Sequence, residues 1–196
     1  RIIAGVFKSR RLEAPTWPGL RPTSDKLRET LFNMLASRVA GARILDGFAG
    51  TGAVGLEALS RGGASVVFVD VDRRALAVIE RNVARLGVAE RCAIIRAVFS
   101  GALATTFPSV PGGLATIRRQ PDFEPFDLVL LDPPYNASPE TALRGVDEVL
   151  AVSGLVALEH ASRQVAPDRV GSLTKIQDRR SGDSAITFYT RTDRTD

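Results

Sequence analysis

Short aliphatic runs alternate with longer stretches of helical periodicity from residue 43 onward, and this alternation limits the possible folds more than any other feature of the sequence. Several of the short runs are apolar at nearly every position, as in strands that are covered on both faces. Five strands are predicted, at residues 43–46, 65–70, 92–96, 126–132 and 155–159. Strands that alternate with helices form βα units, so we predict an α/β fold with a mostly parallel sheet.

The segments between the predicted strands have helical spacing and helical end signals. Residues 53–61 are followed by two glycines, and residues 72–86 carry an apolar face that ends before Gly87. A third helix is predicted at residues 138–150. The last part of the chain differs, because residues 174–178 and 185–189 flank a polar turn and predict a terminal antiparallel hairpin.

The length of the chain, 196 residues, fits one globular domain with a short appendage. Residues 1–23 contain several Gly and Pro residues, which predicts an N-terminal extension, and a helix then begins near Asp25. The predicted organisation is an extension at residues 1–23 followed by one domain at residues 24–196. Within that domain, the Pro- and Gly-rich residues 108–125 are predicted to form an irregular loop.

The net charge of +4 is concentrated at the beginning of the chain, since residues 1–28 alone carry a net +5. A basic extension suits a polyanionic partner. The single cysteine, Cys92, cannot form an internal disulfide, which fits a reducing compartment. There is no apolar run of membrane-spanning length and no signal-peptide pattern at residues 1–5, so we expect a cytoplasmic protein.

A glycine-rich turn follows the first predicted strand. Its glycines satisfy the G-x-G-x-x-G pattern at positions 50, 52 and 55, and an acid at position 70 stands where a carboxylate holds a ribose. A dinucleotide would bring its pyrophosphate close to the carboxylate at position 46, and the like charges would repel. The ammonium and sulfonium of S-adenosylmethionine (SAM) fit that carboxylate better. The candidate cofactor contacts are Asp46, Phe48, Gly50, Thr51, Gly52 and Asp70.

The fourth predicted strand ends in a carboxylate that two prolines and a tyrosine follow at once. An exocyclic amino group of a base is a poor nucleophile, because its lone pair is delocalised into the ring. The Asp132 carboxylate and the Pro133 carbonyl could accept its two N–H groups, while Tyr135 offers a stacking face for a base turned out of its helix. The candidate catalytic residues are Asp132, Pro133, Pro134 and Tyr135. They would lie beside the glycine loop if the first and fourth strands are neighbours.

The glycine loop and the Asp-Pro-Pro-Tyr tetrad together resemble the class I SAM-dependent methyltransferases that modify exocyclic amino groups. More specific similarities lie in residues 1–5, 19–25, 28–33, 55–62 and 182–184. These segments resemble the RsmD-type family, bacterial enzymes that methylate N2 of a guanine in 16S ribosomal RNA. The resemblance covers essentially the whole chain.

The resemblance implies a Rossmann-like class I methyltransferase fold, with a seven-stranded, mostly parallel sheet and an antiparallel terminal strand. It also implies SAM as the cofactor and 16S rRNA, in a small-subunit assembly particle, as the partner; we expect a monomer. One position departs from the family. Where many relatives place an acidic or amide side chain near the adenine, residues 96–99 read Arg-Ala-Val-Phe. Adenine is therefore expected to be held by backbone groups and apolar contacts.

The candidate contacts to RNA phosphates are arginines in the basic part of the chain: Arg10, Arg11, Arg21 and Arg28. The single histidine, His160, has no cysteine or second histidine to complete a metal site, so we predict a structural role for it and no metal.

Three alternatives remain open from the sequence. A DNA adenine-N6 or cytosine-N4 methyltransferase would share the tetrad, but the chain leaves no room for a large target-recognition domain. A non-catalytic nucleic-acid-binding scaffold would not need a complete tetrad, and a titration with SAM would distinguish it. An NAD-linked oxidoreductase is the least favoured, because of the charge of Asp46.

Overall fold

An eight-stranded sheet forms the centre of the computed structural model, which describes residues 1–14, 25–99, 124–134 and 136–192. The strands are β1 (Arg43–Asp46), β2 (Ser65–Asp70), β3 (Cys92–Arg96), β4 (Phe126–Leu131), β5 (Leu150–Ala161), β6 (Arg169–Val170), β7 (Leu173–Ser181) and β8 (Ser184–Arg191). Their spatial order is β3-β2-β1-β4-β5-β8-β7-β6. Strands β1 to β5 are parallel, and β8, β7 and β6 continue the sheet in antiparallel pairs. The predicted α/β class and the terminal hairpin are confirmed.

The sheet has one strand more than the resemblance implies, and the additional strand is the two-residue β6, which pairs only with β7. The first three strands have the predicted bounds. Strand β4 ends at Leu131, one residue before the predicted end, so Asp132 lies just outside the sheet. Strand β5 has 12 residues and begins well before the predicted residue 155.

Five α-helices pack on the sheet within the described ranges: α1 (Asp25–Met34), α2 (Ala36–Val39), α3 (Ala53–Ser60), α4 (Arg73–Leu86) and α5 (Pro139–Leu143). Short 3-10 turns occupy Ala89–Arg91 and Val146–Glu148. Helix α4 begins where the sequence predicts, because the Asp72 carboxylate accepts a hydrogen bond from the Arg74 N–H. No helix in these ranges combines the length and the apolar composition that a bilayer span requires.

The helix predicted at residues 138–150 is wrong in its second half. Helix α5 ends at Leu143, and Gly145 has a left-handed backbone with φ of 75°. The chain then makes a 3-10 turn, and Leu150 already belongs to β5, where it pairs with Phe126. The buried residues Val146, Val149 and Leu150 have helix-like spacing, but they point into the core from a turn and a strand.

Apolar clusters cover both faces of the sheet. The cluster on one face joins alternate strand residues to the apolar sides of α1, α3 and α4, including Phe32, Leu56 and Ile79. The cluster on the other face includes Leu143 of α5 and Tyr189 of β8. Coverage on both faces explains why the inner strands are apolar at successive positions.

Residues 1–14 pack against α3 and α4. Ile2 is buried in the first core cluster. The carboxylate of Glu57, which is fully buried in α3, accepts hydrogen bonds from the backbone N–H groups of Ile3 (2.7 Å) and Ala4 (3.0 Å) and from Arg61 Nε (2.7 Å). One buried side chain therefore attaches the N-terminal segment to the domain.

Replacing Glu57 with Gln is expected to lower the free energy of unfolding by about 3 kcal/mol, because the buried Arg28 and the half-buried Arg61 would lose their shared counter-ion. Urea unfolding followed by circular dichroism measures this. The matched control is Glu140→Gln, which removes an exposed pair with Arg144 on α5 and should leave the unfolding midpoint unchanged. Equal midpoints for Glu57→Gln and the wild type would contradict the anchoring role.

Candidate active site

Strands β1 and β4 are neighbours, with Asp46 in register with Leu130. Strand β2 lies on the other side of β1, so the chain reverses its strand order between β1 and β4. In open α/β sheets, ligands bind at the carboxyl ends of the strands at this reversal. The glycine loop after β1 and Asp132 after β4 meet there, as predicted.

Asp46, the last residue of β1, is almost fully buried, and its Oδ2 accepts a hydrogen bond from the Gly55 N–H at 2.9 Å. Burial raises the pKa of Asp46 to about 7, the Gly55 N–H partly offsets this, and the charges of Asp132 and Asp70 raise it further. The third glycine of the motif is needed for close packing, because a Cβ at Gly55 would lie 2.4 Å from the Phe68 ring. Asp46 is thus a carboxylate whose charge a cationic ligand would stabilise.

Asp70 shapes the glycine loop. Its Oδ2 accepts a hydrogen bond from the Gly50 N–H at 2.8 Å, and its Oδ1 accepts one from the Asp72 N–H at 2.9 Å. Gly50 and Gly52 both have positive φ, 54° and 73°, which other residues rarely adopt. Burial raises the pKa of Asp70. Each carboxylate oxygen has a second lone pair, so Asp70 can still accept a hydrogen bond from a ribose hydroxyl.

The other predicted cofactor contacts, Phe48 and Thr51, lie in the same loop. The half-buried ring of Phe48 packs against Phe99, with ring centroids 5.1 Å apart. This pair forms an apolar wall at the ends of β1 and β3, where the sequence predicts apolar contact with adenine. The Thr51 carbonyl accepts a hydrogen bond from the buried amide of Asn82, which also binds the backbone of Glu13.

The first three residues of the tetrad follow β4 directly. Asp132 is half-buried, Pro133 is buried and Pro134 is exposed. Tyr135 lies outside the described residues. The two prolines restrict the backbone torsions after Asp132, so the direction of its carboxyl group is set by the local chain.

A pocket at this edge of the sheet brings three carboxyl groups together: Asp46, Asp132 and Glu159. Its other walls are apolar, with Leu27 and Leu31 contributed by α1. No cationic side chain of the described residues lines this pocket. The pocket is therefore acidic and partly desolvated.

Glu159 was not among the predicted site residues. It is the tenth residue of β5, and its Oε1 accepts a hydrogen bond from the Ser184 hydroxyl at 3.3 Å. Burial, together with the charge of Asp132, raises the pKa of Glu159 to about 8. The sequence did contain a signal, since Glu159 is an acid at the predicted end of a buried strand, as Asp46 and Asp132 are.

The prediction that Arg28 contacts RNA is wrong. Arg28 is 2 % exposed, and its Nη2 donates hydrogen bonds to the Arg1 carbonyl and to Asp25 Oδ1, both at 2.8 Å. Its Nε lies 3.9 Å from Glu57 Oε2. An arginine enclosed in this way stabilises the N-terminal segment and offers no charge to a phosphate.

Of the remaining predicted RNA contacts, Arg10 and Arg11 are exposed and Arg21 lies outside the described residues. The Arg11 carbonyl accepts a hydrogen bond from Arg85, in the last turn of α4. That turn lies about 18 Å along the helix axis from Arg73, which begins α4 at the carboxyl edge of the sheet. Arg11 is not among the residues that line the pocket.

Three other exposed arginines lie toward the carboxyl edge of the sheet, Arg163 after the end of β5 and Arg179 and Arg180 near the end of β7. Arg179 is in register with Ile186, which is in register with Glu159. Arg163 follows Ser162, whose N–H donates to the Asp183 carbonyl in the β7–β8 turn. These three cations take part in none of the ion pairs found among the described residues.

His160 has the structural position that the sequence predicts. It is buried beside Glu159 on the opposite face of β5, and its Nε2 lies 2.8 Å from the Thr187 hydroxyl. Its Nδ1 lies 3.0 Å from the Ala161 carbonyl. Both ring nitrogens thus have partners within the sheet.

The strand order, the acidic glycine loop after β1 and the Asp-Pro-Pro segment after β4 define the class I methyltransferase fold. Comparison with known proteins is consistent with this class. The solved structure of yhhF from Escherichia coli superposes on this chain with a TM-score of 0.75. The two sequences are 31 % identical, and the match covers 97 % of each chain.

Residues 1–190 match the family model described as "Conserved hypothetical protein 95". YlbH of Bacillus subtilis is 33 % identical over 192 residues, which are 96 % of this chain and 97 % of that protein. Ribosomal RNA small subunit methyltransferase D of Escherichia coli is 40 % identical over 135 residues, 69 % of this chain. That match spans 60 % of the length of the Escherichia coli relative. The chain belongs to this methyltransferase family.

Proposed function

We propose that the protein transfers a methyl group from SAM to the N2 amino group of a guanine in small-subunit ribosomal RNA. The observation that carries the proposal is the position of Asp132 after β4, directly beside the acidic end of β1. The Escherichia coli relative is named a small-subunit rRNA methyltransferase, which supports the class of substrate. We propose a small-subunit assembly particle as the physiological form of that substrate and a monomeric enzyme.

The residues at the ends of β1 and β2 fit SAM. Asp46 supplies a buried negative charge for a cationic ligand, and Asp70 supplies acceptors for ribose hydroxyls. Gly50, Thr51 and Gly52 bring the backbone close to the ligand, while Phe48 provides an apolar surface for adenine. When bound, SAM supplies an electrophilic methyl group on a sulfonium. The acidic charge of the pocket favours a cation and disfavours a pyrophosphate.

The residues after β4 prepare the acceptor. The Asp132 carboxylate and the Pro133 carbonyl accept the two N–H groups of the guanine amino group. These hydrogen bonds turn the nitrogen lone pair out of the plane of the ring toward the methyl group. The Asp132 carboxylate, which accepts one N–H, would take up the proton that the nitrogen loses when it gains the methyl group from the sulfonium, which leaves as a neutral thioether. Tyr135 stacks on the base. The rest of the rate enhancement comes from holding the two reactants in line, and the proposal needs no metal.

The proposal is tested by methyl transfer from radiolabelled SAM to small-subunit rRNA purified from cells that lack this methyltransferase. Mass spectrometry of the digested RNA should detect N2-methylguanosine at one position. Duplex DNA serves as the alternative acceptor, and label in adenine or cytosine of that DNA would instead identify a DNA methyltransferase. A calorimetric titration that shows no SAM binding would favour a non-catalytic scaffold.

The exposed arginines toward the carboxyl edge of the sheet lead to a prediction about RNA binding. The double variant Arg179→Glu, Arg180→Glu is expected to weaken rRNA binding by about tenfold or more at moderate salt and to reduce its salt dependence, because phosphate contacts would be lost. Filter binding over a range of salt concentrations measures both effects. The affinity for SAM should not change.

The matched comparison is the double variant Arg10→Glu, Arg11→Glu, which reverses two charges beside the far end of α4. It should also weaken RNA binding, but less than the change on β7. If neither double variant alters the affinity for rRNA, these surfaces do not bind it.

A further inference from the structure

Four carboxyl groups lie at the ends of four adjacent strands. Asp70 ends β2, Asp46 ends β1, Asp132 follows β4 and Glu159 lies near the end of β5. Adjacent strands are about 4.8 Å apart, so Glu159 lies about 14 Å across the sheet from Asp70. If the ribose binds at Asp70 and the amino group at Asp132, Glu159 lies on the acceptor side of the site, two strands from Asp46 and three from Asp70.

The surroundings of Glu159 favour its uncharged form. Asp132 and Asp46 face it from β4 and β1, α1 contributes the apolar Leu27 and Leu31, and β8 contributes Ile186. The hydroxyl of Ser184, also on β8, donates to Glu159 Oε1 and partly offsets their effect on its pKa. A mostly buried acid beside other carboxyl groups keeps its proton at neutral pH, in line with its pKa of about 8. An uncharged carboxyl group offers one donor and one free acceptor side by side.

We propose that Glu159 determines specificity for guanine by binding the base edge next to the reacting amino group, with its carbonyl oxygen accepting from N1–H and its hydroxyl donating to O6. This inference rests on the proposed function. On the guanine ring, N2, N1 and O6 follow one another along one edge. When Asp132 binds N2, the next carboxyl group across the sheet is that of Glu159, which then binds the next two atoms of that edge.

The same arrangement rejects the other bases that carry an amino group. An adenine whose N6 amino group faced Asp132 would present the acceptor N1 and then a C–H group. A cytosine in the same position would present two acceptors, N3 and O2. Only guanine presents a donor followed by an acceptor, so only guanine satisfies both atoms of an uncharged Glu159 carboxyl group.

Two variants with side chains of similar size distinguish the effect of hydrogen bonding at position 159 from the effect of packing. Glu159→Gln keeps one acceptor and one donor in the same place, so kcat/KM for small-subunit rRNA should stay within about threefold of the wild type. Glu159→Met keeps the length of the side chain but neither hydrogen bond, so kcat/KM should fall by about 30-fold or more, mainly through a higher KM for rRNA. The calorimetric Kd for SAM should be the same in all three proteins. Glu90→Ala, an exposed change before β3, is the control.

The proposal is overturned if Glu159→Met keeps the wild-type kcat/KM, or if it weakens SAM binding, which would place Glu159 on the cofactor. It is also overturned if Glu159→Gln loses as much activity as Glu159→Met, because a carboxylate would then be required. Unchanged SAM binding shows that each variant is folded. A wild-type protein that binds SAM but methylates no rRNA would instead contradict the proposed function.

Discussion

Replacing Asp132 with Ala is expected to lower kcat for methyl transfer to rRNA by about 1000-fold or more, since the amino group would lose the acceptor that orients it. The affinity for SAM should change little, because the loops after β1 and β2 carry most of the proposed cofactor contacts. Single-turnover transfer of a labelled methyl group measures the first effect, and calorimetry measures the second.

Asp132→Asn provides the graded comparison for this prediction. The amide oxygen can still accept one N–H, so this variant should keep more activity than Asp132→Ala. The exposed Glu90→Ala variant should transfer at the wild-type rate. If Asp132→Ala turns over at a rate close to that of the wild type, Asp132 is not the catalytic acceptor, and the proposed mechanism fails.

The second large effect concerns Asp46. Asp46→Asn removes a buried negative charge but keeps an oxygen that can accept from the Gly55 N–H. At pH 8 we expect it to bind SAM about tenfold or more weakly than the wild type, because the cationic ligand loses its counter-charge. In the wild type, SAM affinity should fall as the pH is lowered through about 7, where Asp46 takes up a proton. The variant should lack this part of the pH dependence.

The same substitution should have the opposite effect on stability. The pKa of Asp46 rises from 3.8 to about 7 on folding, so the folded protein holds this proton more tightly than the unfolded chain does. The neutral Asp46 carboxyl group therefore makes its full contribution to the stability of the fold below about pH 3.8. This contribution is lost as the pH rises through about 7. At pH 8, Asp46→Asn should therefore be more stable than the wild type by about 2–4 kcal/mol. A lower urea midpoint for the variant at pH 8 would contradict this expectation.

Local patterns predicted most of the elements that position the site. The apolar runs of β1, β2 and β3, the Asp72 cap and the glycine after α4 all depend on neighbouring residues, and the structure agrees with them. The prediction of one helix at residues 138–150 failed because the apolar spacing fits both a continuous helix and a short helix followed by a turn and a strand. The choice between them depends on pairing of Leu150 with Phe126, which is distant in the chain.

The sequence alone misassigns Arg28 and misses Glu159, because the role of each side chain depends on contacts between segments that are distant in the chain. Arg28 lies in a basic stretch of sequence, but its burial depends on Glu57, 29 positions later. Glu159 lies in a strand, but its importance depends on β5 lying next to β4 and on Ser184 in β8. Whether a charged residue is exposed or buried, and whether the end of a strand lines a pocket, is decided only when the sheet assembles.

The position of β8 has a consequence for biosynthesis. This strand is the last of the described elements in chain order, but it lies between β5 and β7, and its residues Ser184 and Ile186 complete the pocket beside Glu159. A nascent chain that already contains the glycine loop and Asp132 still has an open sheet edge at β5 and no wall on that side. The pocket can close only after Ile186 has left the ribosome, so an unfinished chain would lack one wall of the site until β8 joins the sheet.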